Sequence, residues 1–508
     1  MNYLIGIDLG TSGTKTVLFD EEGRAVASAT VEYPLHQPRN GWAEQDPADW
    51  WNACVSTLRA VLAKSGVESG DVRGIGISGQ MHGLVMMDEN GEVIRNSIIW
   101  CDNRNARECE EITGLVGEER LVELSANRAL VSYTAGKLLW VRNNEPENYS
   151  RCRQILLPKD YLRYKLTGTY AAEVSDAAGT NLLDVPRRVW SEEILEKLSI
   201  PPEWMPKLYE SCEVAGHVTG EIAALIGLAA GTPVVGGAGD NAAAAIGTGT
   251  VEKGQAFCTI GTSAVIFAHS DKVAIDPQGR VSTFCSAVPG AWTVMSCTMA
   301  AGLSLQWLRN QMFAEEMTTA AGLGWDAYRV LDEQAGRVPI GANRLIFLPY
   351  LMGERCPHLD PNSRGVFFGL SAMHTKYDML RAVMEGVAYS QRDCLEALSC
   401  AGVEPSGIIA TGGGGTSPLW RQMLADVLDL PVETVQNREG PALGAAILAG
   451  VGAGLYPTVQ EACKKLIKRN PIQQPIAENT AKYMPYYDVY HGLYPSLVGS
   501  FASLAALD

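Results

Sequence analysis

A small-residue loop occurs twice in this chain, as Gly6-Ile7-Asp8-Leu9-Gly10-Thr11-Ser12-Gly13 at the start and as Thr259-Ile260-Gly261-Thr262-Ser263 near the midpoint. Around the first copy, Tyr3 to Ile7 read as a strand, Gly10 to Gly13 as a turn and Lys15 to Phe19 as the returning strand, which makes a β-hairpin with a small-residue tip. Glycine lets a backbone approach a phosphate closely. The tip N–H groups and the hydroxyls of Thr11, Ser12, Thr262 and Ser263 can donate to phosphate oxygens. The repetition implies a duplicated α/β fold around a shared nucleotide, the two tips gripping one polyphosphate. Asp8 of the first copy corresponds to Thr259 of the second, so only one half brings a carboxylate. Beside a phosphate that carboxylate needs a hard cation between them, which makes Asp8 a candidate Mg²⁺ ligand; its other reading is a residue that shapes a tight turn.

A chain of 508 residues is too long for one ordinary core, and two large α/β domains fit the duplicated loop. Glu252-Lys253-Gly254 supplies turn chemistry just before the second hairpin, which sets the expected boundary between domains 1–252 and 253–508. A net charge of −16 without a basic run argues against nucleic acid or an anionic membrane as partner. Met1 leads directly into a strand, and no apolar stretch reaches the length of a membrane span, so the chain reads as cytoplasmic. The 12 cysteines have no Cys-x-x-Cys pair and no zinc spacing, and read as reduced thiols.

Asp46-Pro47-Ala48-Asp49 predicts a capped helix running to about Lys64, followed by a buried strand over Val72 to Ser78. That strand ends at Gly79-Gln80-Met81-His82-Gly83, the position where open α/β sheets bind ligands. His82 can hydrogen-bond a sugar hydroxyl or serve as a structural donor, and Met81 can pad an apolar face. Trp100-Cys101-Asp102-Asn103-Arg104 suits polyol recognition, or Asp102 caps the helix expected over Asn103 to Ile112. Asp240 and Asn241 interrupt an Ala/Gly/Val-rich stretch. An apolar setting raises a carboxyl pKa, so Asp240 is a candidate general base; it is also a candidate N-cap with Asn241 at the first helical position. Gly412 to Gly415, with Ser417 as N-cap and Pro418 at the first helical position, suits an anion or nucleotide, yet fits neither a P-loop nor a dinucleotide fingerprint.

Together these segments resemble the FGGY family of carbohydrate kinases almost end to end. The likeness also covers Trp42 to Pro47, Ser132 to Asn144 around Lys137 and Trp140, Leu157 to Leu162, Ser175 to Thr180 and Gly365 to Glu385. The resemblance implies two duplicated ribonuclease H-like domains of the actin/Hsp70 ATPase type with a nucleotide cleft between them. It implies Asp240 as catalytic base, Asp8 supporting Mg²⁺ and the phosphates, and Met81, His82 and Asn241 on the sugar. ATP is expected at Thr11, Ser12, Gly261, Thr262, Gly413, Gly414 and Ser417, and a homodimer is a further expectation of the family. Gln80 to Gly83 points within the family to ATP-dependent phosphorylation of D-xylulose to D-xylulose 5-phosphate. The rival readings are a related kinase for ribulose, glycerol or gluconate, and, in another class, an actin-like nucleotide-driven binding protein.

Overall fold

Alternation in Ile5-Gly6-Ile7-Asp8-Leu9 and in Gly74-Ile75-Gly76-Ile77-Ser78 puts aliphatic side chains on one face of a sheet and glycine or a short polar group on the other. The computed structural model, which describes residues 1–437 and 439–507, is built on that asymmetry. It divides into two units. Unit 1 comprises Met1–Glu252, His269–Thr293 and Asn437–Ile467; unit 2 comprises Lys253–Ala268, Val294–Gln436 and Lys468–Asp508.

In unit 1, β1 (Tyr3–Leu9), β2 (Gly13–Asp20), β3 (Ala25–Glu32), β4 (Val72–Gly79), β5 (Val214–His217), β6 (Pro233–Val235) and β7 (Ala238–Gly239) form one mixed sheet. Its order is β5–β6–β4–β1–β2–β3, with β7 continuing alongside β4. β1 and β2 are the antiparallel hairpin expected from the sequence, with Asp8 opposite Lys15, while β1 and β4 run parallel with Asp8 beside Ser78. The aliphatic face (Ile5, Ile7, Leu9, Ile75, Ile77) joins Trp50, Leu58 and Val61 in a fully buried core. Those last three belong to the helix Pro47–Ser65, which Asp46 caps by accepting from Ala48 N at 2.9 Å, as the Asp-Pro signal predicts.

The glycine face admits a helix so closely that no side chain fits between. A Cβ on Gly6 would lie 1.9 Å from the Ala442 carbonyl oxygen, and one on Gly76 1.9 Å from that of Ala445. Gly440–Gly452 is this helix, and the helix Asp240–Thr248 packs against it in turn. The parallel strands β1, β4 and β7 therefore end at a common edge, and Asp240 is the first residue beyond β7, whose Gly239 lies beside Gly79.

Unit 2 repeats the hairpin. β8 (Gln255–Ile260) and β9 (Ala264–Ser270) are antiparallel, and β8 runs parallel to β11 (Gly407–Thr411), in the order β10–β9–β8–β11–β12 with β10 (Trp292–Thr298) and β12 (Val432–Glu433). Each turn is closed by a backbone bond from its leading glycine: Gly10 N donates to Gly13 O at 3.0 Å, and Gly261 N to Ser263 O at 2.9 Å, one residue tighter. Lys376–Cys400, a largely buried helix with a Thr375/Asp378 capping box, and Ala477–Ala505 complete this unit's helical layer. All 12 cysteines are free thiols. Among the described residues no helix is long and apolar enough to cross a membrane.

Candidate active site

Asp8 stands at the end of β1, where the strand pairing sets its carboxylate beside Ser78, whose hydroxyl donates to Oδ1 at 3.1 Å. Burial pushes its pKa up to about 6 against the opposing effects of Ser78 and Lys15. Lys15 itself is salt-bridged to Glu439. At the tip of this hairpin, Thr11 is fixed from three sides. Trp100 Nε1 donates to its hydroxyl at 2.9 Å, Gln45 Nε2 donates to its carbonyl at 2.7 Å, and its hydroxyl reaches Gln80 Oε1 at 3.4 Å. Ser12 is exposed at the apex. A single carboxylate flanked by hydroxyls offers only hard oxygen donors, which fits a divalent cation that keeps much of its water.

Asp240 opens its helix as the first helical residue, and Gly239 occupies the cap position, so the N-cap role expected as one reading of Asp240 is not the one it takes. β7 carries the chain in extended form through Gly239, which leaves the turn into the helix to Asp240. The carboxylate accepts from Asn241 N at 2.7 Å and Asn241 Nδ2 at 3.0 Å. Burial and then the charge of Asp8 push its pKa up to about 7, with the two Asn241 bonds opposing. A carboxylate poised there exchanges protons readily at neutral pH.

Met81 lies against Gly239: a Cβ on that glycine would come within 2.8 Å of the methionine Cγ. His82 has a left-handed backbone, φ 69°, a strained conformation for a non-glycine residue. Its carbonyl is held by Lys137 Nζ at 2.9 Å and by the Thr134 hydroxyl at 3.1 Å. Its ring Nδ1 pairs with Gly179 O at 2.8 Å, and the ring packs on Tyr133 with centroids 4.7 Å apart. Burial pushes the Lys137 ammonium down to about 7. Lys137 belongs to a segment that carried the family resemblance, and its contribution is to hold the His82 turn. Within Trp100 to Arg104, the polar side chains of Asp102 and Arg104 are engaged by the fold itself. Asp102 is wholly buried, accepts from Ala43 N at 2.5 Å and pairs with Arg104 at 2.7 Å, and Arg104 stacks 3.7 Å from the Trp42 ring centroid. The following helix starts later, at Ala106, with Asn105 in the cap position.

In unit 2, Gly261, Thr262, Gly413, Gly414 and Ser417 line one cavity of about 230 Å³ together with Gly302, Gln306, Tyr328, Asp332 and Trp420. Gly412 takes φ 73° to turn the chain out of β11, and Ser417 caps the helix Pro418–Leu428 by accepting from Trp420 N at 3.0 Å, as the sequence predicts. A glycine loop, a hairpin tip and a helix N-terminus converge there, an arrangement suited to an anionic group. Gln306, Tyr328 and Asp332 were not foreseen. They come from helices Gly302–Met312 and Ala327–Ala335, whose sequences carry only ordinary helical periodicity. The expected site residues thus fall into two groups: Asp8, Thr11, Ser12, Met81, His82, Asp240 and Asn241 in unit 1, and the cavity residues in unit 2.

Residues 3–247 match the N-terminal domain of the FGGY family of carbohydrate kinases, and residues 256–453 match its C-terminal domain. The xylulose kinase of Escherichia coli (strain K12) is 40% identical, over 92% of this chain and 93% of its own length. That of Bacillus subtilis (strain 168) is 38% identical over 92% of each chain. A crystal structure of a xyloylose kinase from Brucella ovis is 38% identical and superposes with a TM-score of 0.90, covering 98% of this chain and 100% of that one. The chain belongs to the FGGY family of carbohydrate kinases.

Proposed function

We propose that this kinase phosphorylates D-xylulose with ATP, giving D-xylulose 5-phosphate and ADP. The observation that carries the reading is Asp240: a carboxylate with its pKa raised to about 7, opening a helix next to Met81 and oriented by two bonds from Asn241. The substrate assignment is supported by the xylulose kinases of two bacteria at 38% and 40% identity along most of the chain. The sugar and the base are assigned to domain 1–252, and ATP mainly to domain 253–508, in the cavity lined by Gly261, Thr262, Gly413, Gly414 and Ser417.

In this reading Met81 and His82 hold the ketose beside Asp240 and Asn241. Asp240 Oδ accepts the proton of the 5-hydroxyl as that oxygen attacks the γ-phosphorus, and the β–γ bridging bond breaks to release ADP. Thr11, Ser12 and Thr262 donate to phosphate oxygens, on which negative charge sits throughout the transfer. Asp8 would hold Mg²⁺, which supplies charge neutralisation and alignment of the phosphates when bound. The setting is the cytoplasm, and a homodimer is the proposed assembly.

The test is coupled ADP production with Mg²⁺ and ATP across xylulose, ribulose, glycerol, gluconate and no sugar, with Asp240→Asn alongside. Xylulose-dependent turnover that falls by about a thousandfold or more in the variant supports both substrate and base. Faster turnover of another sugar replaces the substrate and keeps the mechanism. Sugar-independent ADP release in both proteins replaces the kinase reading with a nucleotide-driven binding protein.

A further inference from the structure

The turn Gly236–Gly239, which delivers Asp240 to its position, is held at several backbone atoms by groups outside it. Arg163 Nη1 donates to Gly236 O at 2.6 Å, Gly237 N donates to Ser211 O at 2.9 Å, and Gly239 N donates to the Ser175 hydroxyl at 3.3 Å. Two of these anchors meet on one carboxylate. Glu173 Oε1 accepts from the Ser175 hydroxyl at 2.8 Å and Asp176 N at 2.9 Å; Oε2 accepts from Ser175 N and the Ser211 hydroxyl, both at 2.8 Å. Lys159 Nζ lies 3.3 Å from Oε1. Glu173 and Ser211 have no exposed surface, and Ser175 is 1% exposed.

A wholly buried carboxylate is costly unless every acceptor position is used. Here each bond also fixes a neighbour: the serine that accepts from Gly239 N is oriented by donating to Glu173, and Ser211 is fixed through its own hydroxyl. We infer that Glu173 is a positioning residue, which acts through Ser175 and Ser211 to fix the Gly236–Gly239 turn and so aim Asp240. The inference rests on Asp240 being the base. It assigns a role to a carboxylate outside the proposed sugar and nucleotide contacts, and it predicts a defect weighted to the chemical step, because the His82 carbonyl is anchored separately, through Lys137 and Thr134.

The experiment compares Ser175→Ala, Ser211→Ala and Glu173→Gln, each alone and in the Asp240→Asn background, by kcat, by KM for both substrates and by melting temperature. If Glu173→Gln fails to fold, Ser175→Ala keeps the test decisive, since it removes one hydroxyl and leaves the carboxylate three donors besides the lysine. For Ser175→Ala, kcat is expected to fall about tenfold, the loss of one good hydrogen bond, with both KM values within about twofold. In the Asp240→Asn background, measured at enzyme concentrations where the residual rate is readable, the same change is expected to have no further effect. An unchanged kcat for Ser175→Ala, or an equal loss with and without Asp240, overturns the positioning role. Full activity of Asp240→Asn by itself overturns instead the base assignment on which the role depends.

Discussion

Ser78 donates its hydroxyl to Asp8 at 3.1 Å across the parallel pairing of β1 and β4. The equivalent register in unit 2 pairs Thr259 with Thr411, whose hydroxyls lie 2.6 Å apart. The duplicated hairpins therefore share a strand arrangement and differ in charge where Asp8 lies opposite Lys15 and Thr259 opposite Val265. A carboxylate at that position raises the pKa of Asp240 within unit 1, whereas the second copy has a neutral hydroxyl pair. In the proposed mechanism one copy takes a cation and tunes the base, and the other meets phosphate oxygens.

The rate should depend on pH through Asp240. The base works only as carboxylate and its pKa is about 7, so kcat/KM for the sugar should rise about tenfold per pH unit below 7 and level off above it. Initial rates from pH 5.5 to 9 at saturating Mg²⁺ and ATP check this. A profile that is flat between pH 6 and 8 contradicts a pKa near 7 for Asp240 in the working enzyme.

The same shift has an opposite sign for stability. In the unfolded chain an aspartate loses its proton near its ordinary value of 3.8, whereas the folded protein holds that proton to about 7. Between these values the folded state binds more protons than the unfolded state, so the stabilisation present at low pH is lost as pH rises through 7. Asp240→Asn removes the charge and keeps the shape. It should melt higher than the parent protein at pH 8, with the difference shrinking toward pH 5; an equal difference at both pH values contradicts the raised pKa.

Signals confined to neighbouring residues were readable from the chain. Asp46-Pro47 and Ser417-Pro418 announce their helices because a cap needs only residues within one turn, and the two hairpins follow from strand alternation around a small-residue tip. Asp240 was recognisable as a charge in an apolar stretch. Its exact place relative to the helix start was not, because β7 follows β4 as far as Gly239 and that pairing is set by a strand more than a hundred residues earlier. Likewise, the left-handed backbone of His82 is sustained by Lys137, 55 positions away. The glycines at 6 and 76 carry a legible alternation, yet nothing local says that the helix they admit comes from residues 440–452.

That helix gives a prediction about packing. A Cβ on Gly444 would lie 1.9 Å from the carbonyl oxygen of Ala243, in the helix that Asp240 opens. Backbone cannot yield as a flexible side chain does, so Gly444→Ala should cost about 1–3 kcal/mol or more and displace the Asp240 helix, lowering both melting temperature and kcat. Gly492→Ala is the control: it lies on a helix with nothing within 4 Å of the added methyl, and should be neutral or stabilising by up to about 1 kcal/mol. Thermal melts and initial rates on the two variants separate crowding from a general intolerance of substitution.

The charge difference between the hairpins can be tested by abolishing it. Thr259→Asp places a carboxylate at the position equivalent to Asp8, opposite Thr411, whose hydroxyl can donate to it as Ser78 does to Asp8. The fold should accept this, but the second hairpin is proposed to meet phosphates directly, and a new anion there repels them unless a further cation intervenes. The KM for ATP should rise about tenfold or more while the KM for xylulose stays within about twofold, with part of the loss recovered at higher Mg²⁺. An unchanged KM for ATP in a variant that melts normally would remove Thr259 from the phosphate-facing surface and, with it, the functional division between the two copies.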